Sequence, residues 1–242
     1  MMLRRSVKVR SAAALCLCLV LGLTVFHSDI MTVNAEGNEP VKNAGTKVEG
    51  KYYFYDANGV VKKSTIAGNS QGGYYYVGAD GVRVDTTEMN LAVTFVRKHS
   101  KMTDSRRKRL KQCYTYLWKH YRYKDFHTKV TPARIPGFAR YMLRYKRGDC
   151  SRYAASLAYI AKAIGYDTYM SNGLVSSIYG GMTAHSWTEV RVGKKKYICD
   201  ANMQMHHPKK NSFMKTYKKY PYRLKRNKRF RMTATDGVIR WK

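Results

Sequence analysis

Cys150, His185 and Asp200 are the residues of this chain whose types and spacing open a route to nucleophilic chemistry. A cysteine sulfur attacks a carbonyl carbon, an imidazole within hydrogen-bond reach moves the proton, and a carboxylate orients the imidazole and stabilises its cation. Cys150 begins a helical pattern in which Ala154, Leu157, Ala158, Ala161 and Ile164 share a face and Gly165 stands at the C′ position. Asp149 occupies the N-cap position, so the sulfur falls in the first turn, at the end of the helix dipole that favours an anion. His185 lies in Ala184–Val192, which reads as a strand, and Lys195–Asp200 reads as the strand returning from a turn at Gly193-Lys194. A two-residue turn pairs positions whose numbers sum to an odd value. Positions 185 and 200 meet that condition, so His185 and Asp200 are expected on one sheet face, on adjacent strands. A three-residue loop would break the parity.

Three motifs carry these residues: Gly148-Asp149-Cys150-Ser151-Arg152-Tyr153-Ala154, His185-Ser186-Trp187-Thr188-Glu189-Val190, and Tyr197-Ile198-Cys199-Asp200. They resemble the core motifs of the transglutaminase-like superfamily, over roughly residues 90 to 205. The resemblance implies an α+β fold with a papain-like transglutaminase core, in which the catalytic helix packs on an antiparallel sheet. It also implies acyl transfer through a thioester on a protein or peptide substrate. The superfamily holds transglutaminases, cysteine proteases, peptide deglycosylating enzymes and members without activity, so the machinery is better defined than the substrate. A cell-wall endopeptidase of another papain-like group also starts its helix Asp-Cys-Ser, but the His185–Glu189 strand fits that group less well. Trp187 is expected to wall the site against water, and Asn202 to support Asp200. No Gln or Asn stands just before Cys150 as an oxyanion donor; the Cys150 N–H supplies one donor, and Tyr145 is the candidate for the second.

The chain's 242 residues suffice for one catalytic domain and a small accessory segment. Residues 1–35 read as a secretory signal, with Arg4, Arg5, Lys8 and Arg10 ahead of an apolar run from Ala12 to Phe26 and a cleavage site at Val33-Asn34-Ala35. Once it is cleaved, no stretch remains that would cross a membrane. Cleavage leaves Cys113, Cys150 and Cys199, an odd number, so at least one thiol stays unpaired or pairs between chains. Cys199 adjoins Asp200 and so points to the opposite sheet face, into the core; two buried single cysteines are favoured over a Cys113–Cys199 bridge. His206-His207 lack partners at ligand spacing, so neither a metal nor a cofactor is expected.

Charge is unevenly placed. Residues 36–88 hold six basic and seven acidic side chains, whereas 36 basic against seven acidic leave residues 89–242 at +29. Outside a cell such a surface favours anionic wall polymers, anionic membrane surfaces or acidic substrates. Nucleic acid is not expected, since no recognition motif is present.

The elements that must position the site divide into a linker over 36–46, an accessory segment over 47–85 and a catalytic domain over 86–242. In the accessory segment, Lys51–Val60 aligns with Gly73–Val82 at a spacing of 22, with turn signals Asn58-Gly59 and Asp80-Gly81 after aromatic runs. These two degenerate units resemble the aromatic β-hairpin repeats of choline- and glucan-binding wall modules, although the Gly-Trp step is absent. Two units are too few for a solenoid, so they are expected to dock on the catalytic domain. Asp85–Glu88 starts one helix, and Thr103-Asp104 caps a second that carries Leu110, Tyr114, Leu117, Trp118 and Tyr121. Thr131–Gly137 is expected as a loop lining the groove before a short helix over Phe138–Tyr145, and Gly173–Met182 as a flexible lid. A basic, tyrosine-bearing tail over His206–Arg231 and a final strand Val238–Trp241 complete the chain. The expectation is a secreted, extracellular or wall-associated cysteine enzyme; the alternative is a non-catalytic basic wall or matrix binding protein.

Overall fold

A computed structural model describes residues 41–68 and 72–242. The expected signal segment and most of the linker lie outside the described residues. In chain order the strands β1 (Gly45–Val48), β2 (Lys51–Phe54), β3 (Thr65–Gly68), β4 (Tyr74–Val77) and β5 (Arg83–Val84) come first. Helices α1 (Thr87–His99) and α2 (Arg106–His120), strand β6 (Arg122–Tyr123), helix α3 (Ile135–Tyr145), strand β7 (Arg147–Gly148) and helix α4 (Cys150–Ala163) follow. Strands β8 (Asp167–Ser176), β9 (Met182–Val192) and β10 (Lys195–Cys199), helix α5 (Ala201–His206), and strands β11 (Leu224–Thr235) and β12 (Val238–Trp241) complete the α+β fold.

The 22-residue sequence period is also a period of the backbone. Asp56 N–H donates to the Val60 carbonyl at 2.9 Å and Gly59 N–H to the Asp56 carbonyl at 3.1 Å. Gly78 to Val82 (2.8 Å) and Gly81 to Gly78 (3.1 Å) repeat both bonds 22 positions on. Each unit is more than a hairpin: β2 pairs back with β1 while Tyr55 bridges Val61, and β4 is the middle strand of a three-stranded sheet with β3 and β5. The units dock as well. Ile66, Tyr76 and Val84 enter the main core alongside Met89, Val93 and Val96 of α1.

The buried helix α4 is the centre of that core. Every residue from Ser151 to Ala163 is buried, so it is covered all round and not on one stripe. It ends in a Schellman motif: Tyr166 N–H donates to the Ala161 carbonyl (3.0 Å) and Gly165 N–H to the Lys162 carbonyl (2.8 Å). Gly165 has φ +100° and faces the Ser64 carbonyl where a Cβ would stand 2.7 Å away, so only glycine fits. One side of α4 meets the antiparallel sheet, ordered β10-β9-β8-β11-β12, and the others meet α1, α3 and α5.

Several local expectations change. Ser105, not Thr103-Asp104, caps α2, its hydroxyl accepting from Lys108 N–H, while Asp104 pairs with Lys108 Nζ at 2.9 Å. Pro136 stands in the first turn of α3, where its missing N–H costs nothing, so the helix begins at Ile135 and absorbs much of the expected Thr131–Gly137 loop. Half of the Gly173–Met182 stretch, Gly173–Ser176 and Met182, is the paired ends of β8 and β9; the other half is the turn at 177–181. The basic tail contains β11, an interior strand between β8 and β12.

Candidate active site

The site sits where the first turn of α4, strand β9 and the β10–α5 junction converge. Asp149 caps α4 by accepting Arg152 N–H at 2.9 Å, and Cys150 is its first residue, partly exposed. Gly148 just before it leaves room for the Arg152 side chain, where a Cβ would approach within 2.6 Å. Two bonds lock the helix start to the sheet: Ser151 Oγ lies 3.1 Å from Ser186 Oγ, and Thr188 Oγ1 donates to the Ala154 carbonyl at 2.7 Å.

The β9–β10 register runs from Val192↔Lys195 to Thr188↔Cys199, so the next position, Asp200, falls opposite Trp187 and on the face of His185. Asp200 has left the ladder and caps α5 instead, its Oδ1 accepting Met203 N–H at 2.9 Å. Its Oδ2 is 2.7 Å from His185 Nε2, with both residues buried. The same Oδ2 accepts the hydroxyl of buried Tyr220 at 2.7 Å. Tyr114 hydroxyl secures the backbone, donating to the Asp200 carbonyl at 3.0 Å.

His185 and Cys150 line one groove, and because Nε2 is committed to Asp200, Nδ1 is the ring nitrogen left free of the carboxylate. Burial of the ring disfavours the imidazolium. The charge and hydrogen bond of Asp200, followed by Cys150, outweigh it, so the His185 pKa is raised. Trp187 is fully buried, its ring near-parallel to His185 with centroids 6.2 Å apart. With Ile198 and Tyr220 it forms an apolar cluster that excludes water from the His–Asp pair.

An open groove of about 530 Å³ runs beside the thiol, lined by Cys150, His185, Tyr123, Phe126, Asn172 and Lys228 among others. Its wall is the segment from Tyr123 to Val130, just ahead of the loop expected there. The parallel ladder of β6 with β7 places Tyr123 beside Gly148. The Arg152 guanidinium clasps Phe126 from below at 3.6 Å while ion-pairing with Asp149 at 3.0 Å.

Two of the supporting residues expected from sequence do not line the groove. Tyr145 is 58% exposed and packs on Tyr141, because the left-handed turn at Lys146 and the β6–β7 ladder separate it from the thiol. Asn202 is buried in the first turn of α5, but its Nδ2 makes no hydrogen bond among the described residues. Sequence reasoning missed Tyr220 and Tyr123. Burial, then the charges of Cys150, Asp125 and Asp149, push the Tyr123 phenol up to about 12, and the ring lines the groove with Cys150. The tyrosines interleaved in the basic tail were the available signal for Tyr220. Cys113 and Cys199 are free and buried, and burial pushes both thiols up to about 12.

The profile of the transglutaminase-like superfamily matches residues 91–201, a span that includes Cys150, His185 and Asp200. No curated protein matches the chain. Among solved structures, the chain is similar to a TGase at 16% identity, with 48% of this chain and 31% of that chain covered and a TM-score of 0.38. It is similar to an arylamine N-acetyltransferase from Mycobacterium abscessus at 16% identity, covering 63% and 55%, with a TM-score of 0.33. It is similar to arylamine N-acetyltransferase C from Bacillus anthracis at 15% identity, covering 65% and 67%, with a TM-score of 0.33. The chain thus spans less than a third of the first of these.

Proposed function

We propose that a transglutaminase-like domain over residues 91–201 makes this chain an exported, wall-associated cysteine enzyme that cleaves or exchanges amide bonds of peptides. One observation carries the reading: His185 holds Asp200 at 2.7 Å and shares the wall of an open groove with Cys150. In the proposed cycle the Cys150 sulfur attacks an amide carbon and His185 takes the thiol proton. The C–N bond then breaks, His185 passes that proton to the departing amine, and a thioester remains. Water or a second amine attacks the thioester, gives its proton to His185, and the C–S bond breaks. The thiol regains its proton, releasing an acid or a new amide. Asp200, held by Tyr220 and the α5 cap, orients His185 throughout.

The oxygen of the tetrahedral intermediate needs donors. The first N–H groups of a helix have no intrahelical acceptor, so the Cys150 N–H supplies one. Tyr123, which lines the groove beside Cys150, takes the place of Tyr145 as candidate for the second. Wall association is supported by the two aromatic units and by the basic excess of residues 89–242.

Mass spectrometry of wall peptides incubated with the chain and with Cys150→Ala tests the reading. Loss of ammonia with a new linkage identifies transfer, and gain of water identifies hydrolysis. Identical spectra from both proteins would remove the enzyme reading for that substrate and favour the basic binding protein.

A further inference from the structure

The outer face of the sheet carries a charge arrangement that the cysteine chemistry does not use. The strand register places Asp167, Tyr169, Ser171 and Gly173 of β8 opposite Arg191, Glu189, Trp187 and His185 of β9. On the other side the same β8 residues from Tyr169 to Gly173 stand opposite Arg231, Arg229 and Arg226 of β11. Side chains of paired positions share a face, so four arginines and two carboxylates lie on the face that carries His185.

They form two hubs. Asp167 holds Arg191 at 2.9 Å and Arg231 at 3.1 Å. Glu189, fully buried, holds Arg229 at 3.3 Å and Arg226 at 3.7 Å, and also accepts the hydroxyls of Ser171 and Tyr217, each at 2.6 Å. One guanidinium offsets the charge of each carboxylate, whether buried Glu189 or partly exposed Asp167; the second at each hub is surplus. The arginines stay 44%, 50%, 27% and 36% exposed for Arg191, Arg231, Arg229 and Arg226, so the surplus charge faces solvent. Lys196, opposite Arg191 on β10, adds another cation, its Nζ 5.2 Å from the Tyr169 ring.

We propose that this face is a docking surface for a linear phosphate-bearing polymer, laid along the β11 row Arg231, Arg229, Arg226. Three features select that partner. All four hub cations are arginines, whose planar fork binds phosphate oxygens in pairs. Their stems are fixed by carboxylates, so little side-chain entropy is lost on binding. The guanidiniums stand in a row along one strand, which suits an extended chain better than a flat bilayer. The row also leads somewhere: Arg226 lies two strands from His185, about 10 Å by sheet spacing. Asn227 and Lys228, at the β11 bulge between Arg226 and Arg229, line the groove, Lys228 from the opposite face through its pairing with Asn172. A polymer bound along the row thus ends two strands from His185.

The test compares Arg226→Gln/Arg231→Gln, which leaves each carboxylate one guanidinium, with Lys101→Gln/Lys119→Gln, which removes equal charge from exposed positions elsewhere. Titration with linear polyphosphate over a salt series is the readout, after circular dichroism shows both variants folded. The arginine variant is expected to bind about tenfold more weakly with a salt slope reduced by about 2, and the lysine variant to change less than about twofold. Equal losses in both variants would overturn the assignment, as would polyglutamate bound as tightly as polyphosphate. So would arginine-dependent binding seen only with phosphatidylglycerol vesicles. Cys150→Ala is expected to bind like the unaltered chain, so this outcome and that of the thiol chemistry are read separately.

Discussion

Replacing Asp200 by Asn sets the bonds at the two carboxylate oxygens, now made at once, against each other. Oδ2 accepts from His185 Nε2 and from Tyr220, while Oδ1 accepts Met203 N–H at the start of α5. An asparagine has one carbonyl oxygen. Turned toward Met203, it faces its NH2 at two donors, His185 N–H and the Tyr220 hydroxyl. Turned toward His185 and Tyr220, it faces the NH2 at the Met203 N–H and loses the cap. The second arrangement strands one donor instead of two, and a lost cap costs about 1 kcal/mol, so the variant is expected to fold that way. Catalysis suffers more, because the imidazolium loses its counter-charge. With the carboxylate gone, burial is the dominant influence left on His185 and lowers its pKa. The turnover constant is expected to fall by about 10² to 10⁴, equivalent to roughly 3–5 kcal/mol of barrier.

The pH dependence provides a second reading of the same change. A histidine whose pKa is raised on folding contributes stability that is fully present below its unfolded value near 6.5. That contribution is lost as the pH rises through the folded value. Thermal melts should therefore show the unaltered chain losing its advantage over Asp200→Asn as the pH climbs from about 6 into the alkaline range. Turnover by Asp200→Asn within threefold of the unaltered chain, or parallel Tm–pH curves, would falsify the role given to the carboxylate.

Tyr220→Phe removes one donor to Asp200 but leaves the ring packed on Trp187 and Ile198, so kcat should fall about tenfold with KM unchanged. A shift in KM alone would point instead to a groove contact. Iodoacetamide at neutral pH should label Cys150 well before Cys113 or Cys199, which are buried; peptide mapping showing uniform labelling contradicts this. Gly165→Ala forces a positive φ and a contact with the Ser64 carbonyl, so urea melts should show a loss of more than about 1 kcal/mol with turnover at saturating substrate little changed.

Much of the site was legible because its determinants are local. An aspartate one residue before the cysteine predicts the cap that exists, and turn parity predicts the shared face of His185 and Asp200. Tyr220 is twenty residues from Asp200, and only the path of the chain after α5 brings its hydroxyl to the carboxylate. Strand β11 escaped notice for a different reason. Its inward residues Phe230, Met232 and Ala234 alternate as a strand requires, but Lys225, Arg226, Lys228, Arg229 and Arg231 give it the look of a solvated tail. Those arginines point to the outer face, where Asp167 and Glu189 await them. Proline misled as well: Pro136 reads as a breaker, yet a helix tolerates it in the first turn.

Ile66, Tyr76 and Val84 are shared property of the aromatic units and the helical body. The units are therefore not a cassette that recombination could shuffle onto another host unchanged. A lineage that discarded them would leave Met89 and Val93 bare on α1 and would have to refill that wall with new apolar side chains. Retention of the two units can be enforced by folding alone, whatever they bind.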